Sequence, residues 1–213
     1  SGILMSNISW VFEKTRRMGG ATGEAYVNPL QATGMSPVAV LAREAIQNSC
    51  DAEANTLDKV KVVFRRTELT GEEKRNFISH SGLAGKFKEH SHAILNSFSC
   101  LSTLEDPDVP LPLLFIEDYG THGLFGNPFE DTSHFFRLLL SLGDSAKLQG
   151  RDSGGSYGFG KSVYSANSRM QTIFAYSKFD SIHAQDNVST RLMGCAYLKS
   201  HKVADKSYSG RAW

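Results

Sequence analysis

Residues 154–162 read GGSYGFGKS, and two unrelated folds can be spelled with that string. From Gly155 to Ser162 it fits G-x-x-x-x-G-K-[ST], the phosphate loop of one large class of nucleotide hydrolases. Such a loop sits directly between a buried strand and a helix. The strand aims the loop, and backbone N–H groups then meet the phosphates at the helix start. The preceding residues, Ser145 to Ser153, read SAKLQGRDS; they are polar and contain no β run. An acidic strand for Mg²⁺ exists at Leu113–Asp118, but it lies before the loop, where that class places it after. The match is formal, and a different phosphate clasp has to be sought in the rest of the chain.

Upstream, Met35-Ser36-Pro37 opens a helix, with Ser36 as N-cap and Pro37 at the first helical position. The helix is predicted from Pro37 to about Glu53. On it, Glu44, Asn48 and Asp51 stand at i, i+4 and i+7, which puts all three on one face. The same helix carries Val38, Leu41, Ala42, Ala45 and Ile46. A solvated polar face would account for this helix alone. Downstream, Leu113–Glu117 (LLFIE) reads as a short buried strand. It delivers Asp118, followed by Gly120 and Gly123, and glycine lets backbone approach a flat ligand closely. Past the glycine-rich string, Thr172 falls inside another predicted strand, Gln171–Ser177.

The order E-x-x-x-N-x-x-D-A, then D-x-G, then G-x-x-G-x-G, then a strand threonine resembles the GHKL superfamily. That group contains DNA gyrase B subunits, heat-shock chaperone ATPases, sensor histidine kinases and MutL. The likeness spans about Pro37 to Ser177. It implies an α/β sandwich of the Bergerat type, α+β in class: a mixed, mostly antiparallel sheet with helices on one face, binding ATP and Mg²⁺. By resemblance, Glu44 is the general base that activates the attacking water, and a carboxylate there can orient water and accept its proton. Asn48 would hold Mg²⁺ through its amide oxygen, a hard ligand suited to that ion. Asp51 and Ala52 would line the adenine side. Asp118, expected to be a buried acid, would accept from the adenine amine, with Thr172 bonding a ring nitrogen or a shared water. Gly120 and Gly123 would let the chain pass close to the base. Gly155, Ser156, Tyr157, Gly158, Phe159 and Gly160 would wrap the phosphates at the start of the next helix, and Lys161 could add charge. One departure stands out: the second motif is Asp118-x-Gly120-x-x-Gly123, one residue longer than the usual D-x-G-x-G. Residues 121–157 are expected to form a glycine-hinged lid.

The whole chain is consistent with one domain. Its 213 residues can bury a core without disulfide staples. A net charge of +1 gives no reason to expect nucleic acid or anionic membrane as the main partner. Cys50, Cys100 and Cys195 show no C-x-x-C spacing, so neither a zinc site nor a disulfide framework is signalled, and a reducing cytoplasm is expected. No apolar run approaches a membrane span. The chain is expected to be an N-terminal piece of a longer protein that continues past Trp213.

Other elements are predicted as follows: a strand at Lys59–Arg66; a helix opened by the capping box Thr70-x-x-Glu73; a second helix within Leu83–Phe98; a helix from Thr132 to Leu142 ended by Gly143; a helix at Lys161–Ser168; and a strand at Arg191–Lys199. The stretch Arg65–Pro110 exceeds what a minimal GHKL member needs and receives no function. His90-Ser91-His92 reads as a solvated helix face, and Trp10, Phe12 and Trp213 as core.

The expectation is therefore a Mg²⁺-dependent ATPase domain in which ATP drives lid closure and self-association within a larger machine. Partner proteins or DNA would be engaged through regions outside this chain; DNA repair or topology, chaperoning and anti-phage defence all use such domains. The alternatives are phosphotransfer to a protein histidine and a non-hydrolysing ATP-dependent switch.

Overall fold

A computed structural model of the chain describes residues 8–15, 35–54, 59–94, 97–128, 130, 132–140, 159–179 and 189–213. Seven strands and five helices are defined among them. They are β1 (Phe12–Lys14), α1 (Pro37–Asp51), β2 (Lys61–Leu69), α2 (Gly71–His80), α3 (Lys86–His90), α4 (Ser97–Glu105), β3 (Leu111–Tyr119), α5 (Phe159–Ala166), β4 (Thr172–Lys178), β5 (Thr190–Tyr197), β6 (His201–Val203) and β7 (Lys206–Ala212). The class is α+β.

α1 starts where its sequence says it should. Pro37 supplies a fixed φ, and the Ser36 hydroxyl accepts from the Ala39 N–H at 3.3 Å. Its buried side is narrower than the apolar content implies. Leu41, Ala45 and Ser49, four residues apart, point inward with Val40, whereas Val38 and Ile46 are exposed. α2 begins after Thr70 as expected, yet the Thr70 side chain makes no capping hydrogen bond. The helix predicted within Leu83–Phe98 is divided into α3, a 3₁₀ turn at Ser91–Ala93 and α4. Within the described part of the predicted Thr132–Leu142 helix, the chain is helical at His134 and Phe135 and π-helical over Phe136–Leu140. Ser133 rather than Thr132 accepts at its start, from the Phe136 N–H at 3.0 Å. Leu142 and Gly143 lie outside the described residues.

The strands form two sheets, not one mixed sheet. β1, β7, β5 and β4 run side by side, with β6 also on β7, while β2 and β3 form a separate pair. Every pairing among the described strands is antiparallel. β1, β6 and β7 are not predicted because each is short or rich in Lys, Ser and Gly; β6 pairs locally with β7 as a hairpin, whereas β1 meets β7 from the other end of the chain. β7 nevertheless joins β1 to β5, with Phe12 and Ala196 both opposite Ala212.

Alternation along β5 separates two cores. Ala196 faces Trp10, Phe12, Leu83, Phe87, Ala93 and Ile94, so α2, α3 and the turns around them cover one face of the five-stranded sheet. Cys195 and Tyr197 face Phe135 and Leu139 on the other. Helical segments thus cover both faces of this sheet, against the expectation of helices on one face. The extra length in Arg65–Pro110 has an architectural use: it contributes much of the first core. His90 belongs to that core too. It is 1% exposed and stacks on Phe12 at 3.5 Å between ring centroids, so it is not a solvated helix residue. Burial drives this, because the neutral imidazole offers a flat, largely apolar ring. A third, smaller core of Val40, Leu41 and Val163, with Ile116 and Tyr164 beside it, joins α1 to α5 and β3.

Candidate functional site

The third core positions the site. α1 lies against α5, and β3 brings its end beneath the last turns of α1. Register matters here. β3 pairs with β2 so that Asp118 stands opposite Val62 and Tyr119 opposite Lys61, at the end of the two-stranded ladder. Beyond it, the chain is zipped to the segment that follows α1. The Ala54 N–H donates to Gly120 O at 3.0 Å, the His122 N–H donates to Ala52 O at 2.9 Å, and Glu53 bridges Thr121. Two segments 68 residues apart, Ala52–Ala54 and Gly120–His122, are thereby clasped. Asp118 and α1 meet as a result.

Gly120 makes the clasp possible. Its φ is +82°, and a Cβ there would lie 2.5 Å from the Lys59 carbonyl oxygen. Gly123, with φ +73°, would place a Cβ 2.7 Å from Lys178 O. Close backbone packing therefore accounts for both glycines before any ligand is considered. The next residue is tied down as well, since the Leu124 N–H donates to the Ser177 hydroxyl at 2.7 Å. The first four residues of the expected lid, 121–124, are anchored to α1's exit and to β4.

Around Asp118 the contacts are specific. Ser49 Oγ lies 3.1 Å from Asp118 Oδ2, and the Thr121 hydroxyl donates to Oδ1 at 3.0 Å. Asp118 itself is exposed, so the expected burial of the acid is not what the fold provides. A strand end opposite solvent leaves it open on one side. Asn48 Nδ2 donates to the Tyr164 hydroxyl at 3.2 Å, linking α1 to α5. Burial raises the Tyr164 phenol above its ordinary value, and the charges of Asp118 and Glu44 push it the same way, against the hydrogen bond from Asn48. Both carboxylates consequently act on the same phenol.

The remaining sequence-derived positions divide. Glu44 is half-buried, and its Oε1 takes the Arg43 guanidinium at 2.6 Å. Asp51 is exposed and accepts from Gln47 Nε2 at 2.8 Å, an i, i+4 pair on α1. Ala52 contributes its carbonyl to the clasp. Thr172 opens β4 in the other sheet, is buried, and donates its hydroxyl to Met170 O at 2.8 Å; no hydrogen bond joins it to Asp118. The backbone of Phe159, Gly160 and Lys161 starts α5, two residues earlier than predicted. Gly155, Ser156, Tyr157 and Gly158 lie outside the described residues. Asn48 therefore meets the Tyr164 phenol, whose ionisation the charges of Asp118 and Glu44 oppose, with Asp51 and Ala52 at the exit of the same helix and Thr172 in the other sheet.

Three contributors were not anticipated. Ser49 carried a readable signal: it is the polar member of an apolar row at spacing four, Leu41, Ala45, Ser49. Thr121 and Tyr164 carried none, because their importance arises only when the clasp closes and α5 docks on α1. Among the described residues no three His, Cys, Asp or Glu side chains are grouped to hold a metal ion. Nor is any helix among them long and apolar enough to cross a membrane. Searches against protein-family models, curated proteins and solved structures found no match.

Proposed function

We propose that this chain is a Mg²⁺-dependent ATPase domain with a Bergerat-type nucleotide site. In this reading ATP binding promotes self-association and passes the nucleotide state to a larger machine; residues 121–124, tied to α1 and β4, and Phe135 and Leu139, packed in the second core, stand outside any moving lid. One observation carries it: the polar side chains of α1 and the acid at the end of β3 meet at one place, held by Ser49–Asp118 and Asn48–Tyr164.

The donor chemistry fits the ligand. Asn48 commits Nδ2 to Tyr164, which leaves Oδ1, a hard oxygen, as the group available to Mg²⁺. Each Asp118 oxygen meets one hydroxyl, and a carboxylate has about four acceptor positions, so it can still accept an exocyclic amine. Bound Mg²⁺ would offset charge on the phosphate oxygens. Glu44, one turn before Asn48 on α1, supplies a carboxylate to orient water and take its proton. Arg43 meets Oε1, which leaves Oε2 for the water.

Isothermal titration of the parent with ATP and Mg²⁺, beside Asp118→Asn and Glu44→Gln, tests this. The expected pattern is binding in the parent, loss of binding in Asp118→Asn, and retained binding without phosphate release in Glu44→Gln. Equal ATP affinity in Asp118→Asn and the parent overturns the reading. Binding by the parent with no phosphate release selects the ATP-dependent switch instead.

A further inference from the structure

The Tyr164 hydroxyl is the partner of the Asn48 amide, across the contact between α1 and α5. An asparagine amide has two faces of opposite character. Nδ2 can only donate, and only Oδ1 can ligate a cation. Whatever fixes the direction of that amide decides whether the position is a cation ligand or a cation repellent. A phenol could in principle hold either end, because it donates and accepts. The structure gives the direction: Nδ2, not Oδ1, faces the phenol, and donates to its oxygen at 3.2 Å. Packing holds the ring in place, since Tyr164 lies against the Val40, Leu41 and Val163 core.

We propose that Tyr164 is a positioning residue that holds the Asn48 amide so that Oδ1 is presented to the nucleotide-bound cation. This inference rests on the ATP-site reading above and deepens it. Tyr164 itself touches neither cation nor nucleotide; it acts through Asn48.

The test separates Mg²⁺ coupling from nucleotide binding. ATP affinity of the full chain is measured in excess Mg²⁺ and in excess EDTA, for the parent and for Tyr164→Phe. The phenylalanine ring refills the same apolar space, and an unchanged melting curve verifies folding. Tyr164→Phe is expected to lose about tenfold of the Mg²⁺-dependent gain in affinity, the usual scale for an outer-shell partner, with EDTA affinity within about twofold of the parent. A second pair removes dependence on one variant. Asn48→Asp presents an oxygen whichever way it turns, so adding Tyr164→Phe in that background is expected to leave the Mg²⁺ gain unchanged. In the ligand-free protein, the Asn48 side-chain amide proton resonances are expected to move upfield in Tyr164→Phe. An unchanged Mg²⁺ gain in Tyr164→Phe overturns the positioning role while leaving the ATP site standing. Absence of ATP binding by the parent in both buffers overturns the ATP site, and the positioning role falls with it.

Discussion

Ser49 Oγ stands 3.1 Å from Asp118 Oδ2 and 3.0 Å from the carbonyl of Ala45, one turn back on its own helix. A hydroxyl has one proton for these two acceptors. The bond to Ala45 is local and is available to any helical serine. The bond to Asp118 spans two elements and orients the acid. Ser49→Ala removes both. Because alanine is the better helix former, folding stability is expected to change by less than about 1 kcal/mol. Adenine nucleotide affinity is expected to fall about five- to tenfold, the worth of one hydrogen bond to a carboxylate. Urea unfolding and calorimetric titration measure the two effects, and unchanged affinity would remove Ser49 from the site.

Gly120→Ala tests the clasp that joins α1's exit to β3's end. The residue needs a positive φ, and its added methyl would meet the Lys59 carbonyl oxygen at 2.5 Å. Neither backbone can yield without breaking the Ala54 to Gly120 hydrogen bond or the β2–β3 ladder end. A loss of about 2–3 kcal/mol in urea unfolding is expected. A change under 0.5 kcal/mol, on the scale of ordinary surface substitutions of about that size, would mean the clasp is not formed in solution.

Lys74 on α2 is 2% exposed, and its ammonium donates to Asp106 O at 2.5 Å and Val109 O at 2.7 Å. It caps the chain between α4 and β3, where Asp106 O also accepts from the Val109 N–H at 3.3 Å. Lys74→Met keeps the length and removes the charge. The expected cost is about 1–3 kcal/mol, mainly from the Val109 carbonyl left without the ammonium. If the melting temperature were unchanged, water would be shown to serve those carbonyls equally well.

His90 makes stability depend on acid. Its Nδ1 lies 2.7 Å from His201 Nε2, and His201 Nδ1 faces the Lys199 carbonyl at 2.8 Å. A carbonyl accepts only, so His201 carries its proton on Nδ1, and His90 then donates to Nε2. Burial, with His201, Lys86 and His92 adding charge repulsion, lowers the His90 pKa from 6.5 to about 4. Burial also lowers that of His201. A base whose folded pKa is depressed binds fewer protons when folded. Its contribution is therefore complete above 6.5 and is lost as pH falls toward 4. At about 1.4 kcal/mol per pH unit, the loss approaches 3 kcal/mol over that range. Unfolding midpoints between pH 7 and 4 measure it. His90→Phe, which keeps a ring on Phe12, is expected to flatten this acid limb, and an identical slope in the variant would place the effect elsewhere.

How much was legible in the sequence follows the range of the interactions. α1 was readable because its start is encoded within four residues, Ser36 to Ala39. β3 was readable because five successive apolar and acidic residues allow few other states. The motif residues Glu44, Asn48 and Asp118 could be named because their order and spacing resemble the GHKL motifs. The π-helical turn, the division of Leu83–Phe98 and the strands β1 and β7 were not readable, since each depends on a partner far along the chain; β6 pairs locally but is only three residues long. His90 shows the same limit: a histidine between Glu89 and Ser91 looks solvated until Phe12 arrives to stack on it.

Sequence alone determined the α+β composition and the order of the main helices and strands, because these follow from local periodicity and capping, while the candidate-site residues were named through the resemblance of their motifs to the GHKL pattern. Tertiary structure alone decided that the strands divide into two antiparallel sheets, that Asp118 stays open to solvent, and that Ser49 and Tyr164 join the site. Those outcomes depend on which distant surfaces exclude water together, and no local pattern encodes that choice.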